Sequence, residues 1–254
     1  MDEPYDRQAD EKDKTQTELN YYEELNRYIA KSPGTWVEKF NNFPKYISRQ
    51  YLTYFLVRYE LFRLITNVHG SIVECGVFMG GNLLGYAQMS AILEPFNHQR
   101  RIVGFDTFDG FPSLDVKDGG SGTVNKQVGG LAADSMDDIA EAARLFDANR
   151  PIGHIPKVEL VKGDACKSIP EYVSDNPHLI VSLLYLDMDV YEPTKIALEQ
   201  FVPRMPKGAI IAFDEINAKD WPGETTALFE TVGISNLRLE RFSFDSHAAY
   251  AIID

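Results

Sequence analysis

Two carboxylates, Asp187 and Asp189, stand two residues apart in LLYLDMDVYEP (183–193), at the far end of an apolar run. A second acidic pair, Asp214 and Glu215, follows the apolar run AIIAF (209–213). In a strand, residues two apart share a face, so Asp187 and Asp189 fall side by side. Like charges gathered out of water repel, so either a hard cation lies among them or some carry a proton. Oxygen donors without His or Cys suit Mg²⁺, Mn²⁺ or Ca²⁺ better than zinc. A cation held this way can bind two vicinal hydroxyls of a small molecule and lower the pKa of one, leaving a neighbouring carboxylate to take its proton. Solvated loop carboxylates with no metal are the alternative.

A different chemistry is written in ECGVFMGGN (74–82). Gly76 permits a tight bend, Gly80 and Gly81 let a ligand come close to the backbone, and a following helix offers N–H groups and a positive dipole end to a carboxylate or phosphate. It is not the dinucleotide fingerprint, because that pattern needs Gly where Phe78 stands. Asp106, at the end of another apolar run, is placed to accept both hydroxyls of a ribose, and Gly163-Asp164 ends a third, where a carboxylate can meet an adenine amino group. Glu74, Asn82 and Thr107 belong to the same turns. Together these features suggest an adenosine ligand, with S-adenosylmethionine and NAD both compatible.

These residues need a scaffold that brings strand ends together. Apolar residues recur at helical spacing from Leu19 to Ala30 and from Tyr51 to Val68. Strands are expected at 71–77, 101–108, 157–165, 178–189 and 208–216, with helices at 80–93, 169–173 and 193–205; RLERFSF and AAYAIID are expected to pair antiparallel at the end. Strands alternating with helices predict an α/β protein with a doubly wound, Rossmann-like, mostly parallel sheet, preceded by N-terminal helices. In such sheets ligands bind beyond the carboxyl ends of the strands, where Glu74, Asp106, Asp164, Asp187, Asp189, Asp214 and Glu215 all fall. The expected organisation is a tail and helical arm over 1–45, then one domain over 46–254. Its glycine-rich stretch, about 112–149, is too long for an ordinary connection and is expected to act as an active-site lid.

The chain has 254 residues, 44% of them hydrophobic, enough for one large core. A net charge of -13 argues against nucleic acid or an anionic membrane as partner. Its two cysteines, Cys75 and Cys166, lack metal spacing and give no disulfide framework, which fits a reduced cytoplasm. The acidic N-terminus is unlike a signal peptide, and no apolar run is long enough to span a bilayer.

With these residues in place, VECGVFMGGN, GFDTFDGFPS, LYLDMDVYEPT and IIAFDEI, in that order and spacing, resemble the macrocin O-methyltransferase family of class I S-adenosylmethionine-dependent, Mg²⁺-dependent enzymes, over roughly Tyr46 to Asp254. Characterised members of that family methylate sugar hydroxyls. The resemblance implies that Glu74, Gly76, Gly80 and Gly81, with Asn82, surround the methionine part of the cofactor. It further implies that Asp106, with Thr107, holds the ribose and that Asp164, after Gly163, meets the adenine. Asp187, Asp214 and Glu215 match the metal-ligand positions, and Asp189 matches the carboxylate proposed as general base. The family often has Asp-Asp where this chain has Asp214-Glu215, and Gly where it has Met188. The acceptor would be a small hydroxylated molecule, a sugar or glycosylated metabolite, and a homo-oligomer is expected. The competing readings are a nicotinamide oxidoreductase, a metal-dependent phosphate-ester hydrolase and an inactive binding protein on the same fold.

Overall fold

The computed structural model describes residues 15–119 and 125–254. The chain divides between Tyr54 and Phe55 into two compact units. In the first, α1 (Gln16–Lys31) is followed by α2 (Trp36–Asn41). Thr35 and Glu38 close a capping box at the start of α2, which satisfies two otherwise unpaired backbone donors. The Ser32 and Tyr46 hydroxyls share a hydrogen bond of 2.8 Å, and Tyr28 stacks on Tyr46.

The second unit is built on a seven-stranded sheet in the order β3-β2-β1-β4-β5-β7-β6, with β7 antiparallel to its neighbours. The parallel strands are β1 (Ser71–Cys75), β2 (Ile102–Asp106), β3 (Val158–Lys162), β4 (Val181–Leu186) and β5 (Ile210–Phe213). β6 (Glu240–Arg241) and β7 (Ala249–Ile252) form the antiparallel edge. The antiparallel ending expected from the sequence is therefore present. β1, β4 and β5 are buried along their whole length, because helices cover both faces; this is why they read as largely apolar runs.

Alternation along the strands divides the core in two. Val73, Cys75, Val103, Phe105 and Leu184 point to the side covered by α6 (Ala165–Asp175), α7 (Tyr191–Phe201) and α8 (Gly223–Glu230). Ile72, Ile102, Leu183 and Tyr185 point to the side covered by α3 (Arg49–Ile65), α4 (Gly81–Leu93) and α5 (Met136–Ala148). On the first side Phe105 meets Tyr172 edge-on at 5.3 Å and Phe201 at 5.8 Å, aromatic pairs worth about 0.5–1.5 kcal/mol each beyond their burial. Glu74 lies opposite Tyr185 in the β1–β4 register, so this carboxylate is carried on the second side, deep in the core.

The sequence reading contains neither α5 nor α8. α5 occupies the second half of the stretch read as glycine-rich, where MDDIAEAARLF places Ile139 and Phe146 on one buried face behind two first-turn acids. α8 is only eight residues long and opens on Pro222, Gly223 and Glu224. The short helix expected at 169–173 is longer, because Asp164 caps it from in front of Ala165.

Candidate active site

The strand order lines up the chemistry along one edge. Asp164 follows β3, Asp106 ends β2, Glu74 lies near the end of β1, Asp187 and Asp189 follow β4, and Asp214-Glu215 follow β5. The order reverses direction between β1 and β4, where an open α/β sheet forms its ligand crevice.

Around β1 the glycines have separable reasons. Gly76 has φ +93, and a Cβ there would lie 1.9 Å from the Asp187 carbonyl oxygen, so the turn and the end of β4 can approach only without a side chain. Gly80, at φ +77, begins α4, and a Cβ would press on Ile139 of α5. At Gly81 a Cβ would meet nothing within 4 Å, which leaves the helix N-terminus open to a ligand. Phe78, in the position that excluded the dinucleotide motif, adopts φ +50 and is largely exposed beside Met79.

Asp106 organises these turns. Its Oδ2 accepts hydrogen bonds from the Val77 and Phe78 backbone N–H groups at 2.7 and 2.8 Å, and its Oδ1 accepts one from Phe108 N–H at 2.7 Å. Phe78 and Phe108 are both left-handed, a strained state for bulky residues that a charged acceptor helps to hold. Thr107 closes its own turn by donating to the Gly110 carbonyl at 2.7 Å. Gly163, at φ +150, precedes Asp164, whose side chain accepts the Cys166 N–H and so caps α6.

Acidic groups crowd the other half. Glu74, Asp189, Asp214, Glu215 and Glu224 are all buried. Burial first, then the nearby charge of Asp187, push the Glu74 carboxyl well above the usual carboxylate range. Burial first, then Asp189, do the same to Glu224. Asp189 sits at φ +62, which turns the chain sharply between β4 and α7. Asp214 Oδ1 accepts the Tyr185 hydroxyl at 2.7 Å and faces the Arg58 guanidinium at 3.5 Å. Arg58 is itself buried and lies over the Tyr185 ring. Burial opposes its charge, yet Tyr185, Asp214, Tyr86 and Asp187 together outweigh that and raise its pKa, so it stays a cation. Among the described residues, no group of three or more acidic, His or Cys side chains already stands positioned to hold a metal ion.

An insertion after β2 braces this half from outside. Asp118 is buried; its Oδ1 accepts the Tyr191 N–H at 2.6 Å and its Oδ2 the Asp115 N–H at 2.6 Å. Lys126 donates to the carbonyls of Asp118 and Asp220 and lies over the Trp221 ring. Phe111, Val190 and Trp221 form a small core between the insertion and the segments after β4 and β5.

Thus the expected cofactor residues Glu74, Gly76, Gly81, Asn82, Asp106 and Asp164 fall along the crevice, while Gly80 and Thr107 have local packing and turn partners. Asp187, Asp189, Asp214 and Glu215 form the acidic end. The sequence reading missed Arg58, Tyr185, Glu224 and Asp118. A lone arginine in an otherwise aromatic and aliphatic helical stripe was the available signal for Arg58, and Pro-Gly-Glu ahead of an apolar segment was the signal for Glu224.

The sheet order and the glycine turn opening α4 define a class I S-adenosylmethionine-dependent methyltransferase. The model of the macrocin-O-methyltransferase (TylF) family matches residues 61–236, and the chain belongs to that family. Among solved structures it is similar to CalS11, a calicheamicin methyltransferase, at 32% identity, with 99% of each chain covered and a TM-score of 0.90. An apo structure of CalS11, described as a TDP-rhamnose 3'-O-methyltransferase, matches at 31% identity over 94% of this chain and 95% of that one, with a TM-score of 0.81. The O-methyltransferase NovP shares the fold at 19% identity, over 78% of each chain, with a TM-score of 0.59. A search among curated proteins finds no match. The chain is therefore an S-adenosylmethionine-dependent O-methyltransferase, and the oxidoreductase and hydrolase readings fall away. No helix among the described residues is long and apolar enough to cross a membrane.

Proposed function

We propose that the enzyme methylates one hydroxyl of a sugar carrying vicinal oxygens, a nucleotide-linked deoxysugar being the first class to test, and that it does so with a divalent cation. The observation that carries this reading is the gathering of carboxylates after β4 and β5. Asp189, Glu215 and Asp187 bear on buried Glu224, and Asp214 and Asp187 bear on buried Arg58. Desolvated carboxylates gathered in this way favour positive charge or protons among them, and an all-oxygen donor set fits a hard cation. Asp187, Asp214 and Glu215 would hold it; when bound, it supplies charge that lowers the pKa of a coordinated hydroxyl. Asp106 and Asp164 fix the nucleoside of S-adenosylmethionine, and the turn from Glu74 to Asn82 fixes its methionine end. Asp189, two residues beyond Asp187, takes the hydroxyl proton as the oxygen attacks the sulfonium methyl. The TDP-rhamnose acceptor of CalS11 supports the sugar class.

The test is calorimetric titration of S-adenosylhomocysteine and Mg²⁺ into metal-free protein, followed by methyl transfer to TDP-rhamnose. Asp189→Asn is expected to keep cofactor affinity and to lower turnover at least ~100-fold. Unchanged turnover removes Asp189 from the mechanism, and no heat with Mg²⁺ removes the cation.

A further inference from the structure

Glu224 stands in the first turn of α8 and is completely buried. Its Oε2 accepts a hydrogen bond from the Glu215 backbone N–H at 3.1 Å. Its Oε1 is buried and has no hydrogen-bond partner among the described residues. The charges that bear on this carboxyl are those of Asp189, Glu215 and Asp187, and its bond to the Glu215 N–H seats it beside the acidic segment after β5. The preceding residue explains how α8 comes so near. A Cβ on Gly223 would lie 2.5 Å from Asp118 Oδ1 and 2.9 Å from the Asp189 carbonyl oxygen, so only glycine lets this helix start against the Asp189 turn.

A buried carboxylate oxygen with no donor costs roughly 1–3 kcal/mol, and more if the group is charged. A structural side chain that needed only to hold the Glu215 N–H would require a single acceptor, and the second carboxylate oxygen adds nothing to that bond. Mg²⁺-like cations keep several of their waters even when protein carboxylates bind them, and such waters are donors that a second-layer carboxylate can orient.

We propose that Glu224 is a positioning residue of the cation site: one oxygen sets the Glu215 backbone, and the other receives the hydrogen bond of a water carried by the cation. The inference rests on the cation reading above and adds to it a residue on a separate helix. α8 thereby becomes part of the acceptor site and not merely a cover for the sheet.

Mn²⁺ serves as the probe, with its binding to the full chain followed by the electron paramagnetic resonance of the free ion and by calorimetry. S-adenosylhomocysteine affinity and thermal unfolding are measured on the same samples. Glu224→Gln keeps the shape and Glu224→Asp keeps the charge while shortening the arm. Both are expected to weaken Mn²⁺ binding roughly 10- to 100-fold, the usual effect of an outer partner. S-adenosylhomocysteine affinity should stay within twofold, and the metal-free protein with glutamine should melt no lower than wild type. Mn²⁺ affinity within twofold of wild type in either folded variant overturns the proposal and leaves the cation reading standing. A variant that melts lower while holding Mn²⁺ normally assigns Glu224 a structural role and also overturns it. Wild type that does not bind Mn²⁺ defeats the cation reading itself, and this inference with it.

Discussion

Replacing Asp106 by asparagine probes whether the cofactor turns are held by one charged side chain. In the native arrangement three backbone N–H groups donate to its two oxygens at 2.7 to 2.8 Å. Asparagine keeps the shape but offers one oxygen. If that oxygen faces Val77 and Phe78, the amide NH₂ confronts the Phe108 N–H, and one charge-assisted bond, worth about 1.5–3 kcal/mol, is lost. The other two become neutral bonds of about half the strength. Allowing for the partial exposure of the site, the sum is roughly 3 to 4 kcal/mol, which corresponds to a fall of about 10 °C in the melting temperature of a chain this size. The assay is thermal unfolding without ligand, with S-adenosylhomocysteine affinity measured below the transition. A melting temperature within about 2 °C of wild type, combined with lost affinity, would refute the reasoning and leave Asp106 a ligand contact alone.

Gly76→Ala places a Cβ at 1.9 Å from the Asp187 carbonyl and demands φ +93 of alanine, so this variant is expected to be insoluble or to lose S-adenosylhomocysteine binding; a soluble, binding-competent protein contradicts the close approach. Tyr185→Phe removes the 2.7 Å hydroxyl donor to buried Asp214 and is expected to cost about 2 kcal/mol by urea unfolding with unchanged m. Burial lowers the Lys157 amine to about 8. Between about pH 8 and 10.4 the unfolded chain then binds the extra proton, so stability rises with pH through that window by up to ~1.4 kcal/mol per unit. Lys157→Met should flatten this rise in unfolding curves at about pH 8, 9 and 10, and an equal rise in both proteins rejects the assignment.

Asp187, Asp189, Asp214 and Glu215 were readable from sequence because they follow apolar runs, and a strand buried on both faces tends to release its charges where the sheet stops, Glu74 inside β1 being the exception. The parallel order and the antiparallel ending follow from the same runs. α8 was not readable: eight residues carry barely two helical turns of periodicity, and its buried Glu224 looks like any first-turn acid. Arg58 was hidden for the opposite reason. A single charge inside an aromatic stripe resembles a surface interruption until the fold brings Tyr185 and Asp214 beneath it. Nor does composition announce that Asp118 reaches the start of a helix 73 positions along the chain.

That reach ties the segment after β2 to the turn that carries Asp189. α7 has no cap of its own: Val190 has no polar side chain, and Asp118 supplies the acceptor instead. The segment after β2 thus fixes the turn carrying Asp189 from a distance, through one carboxylate. Asp118, Gly223 and Trp221 meet there as one unit, because Asp118 lies against Gly223 and Lys126 joins the Asp118 carbonyl to the Trp221 ring. A substitution at one of them is therefore coupled to the other two.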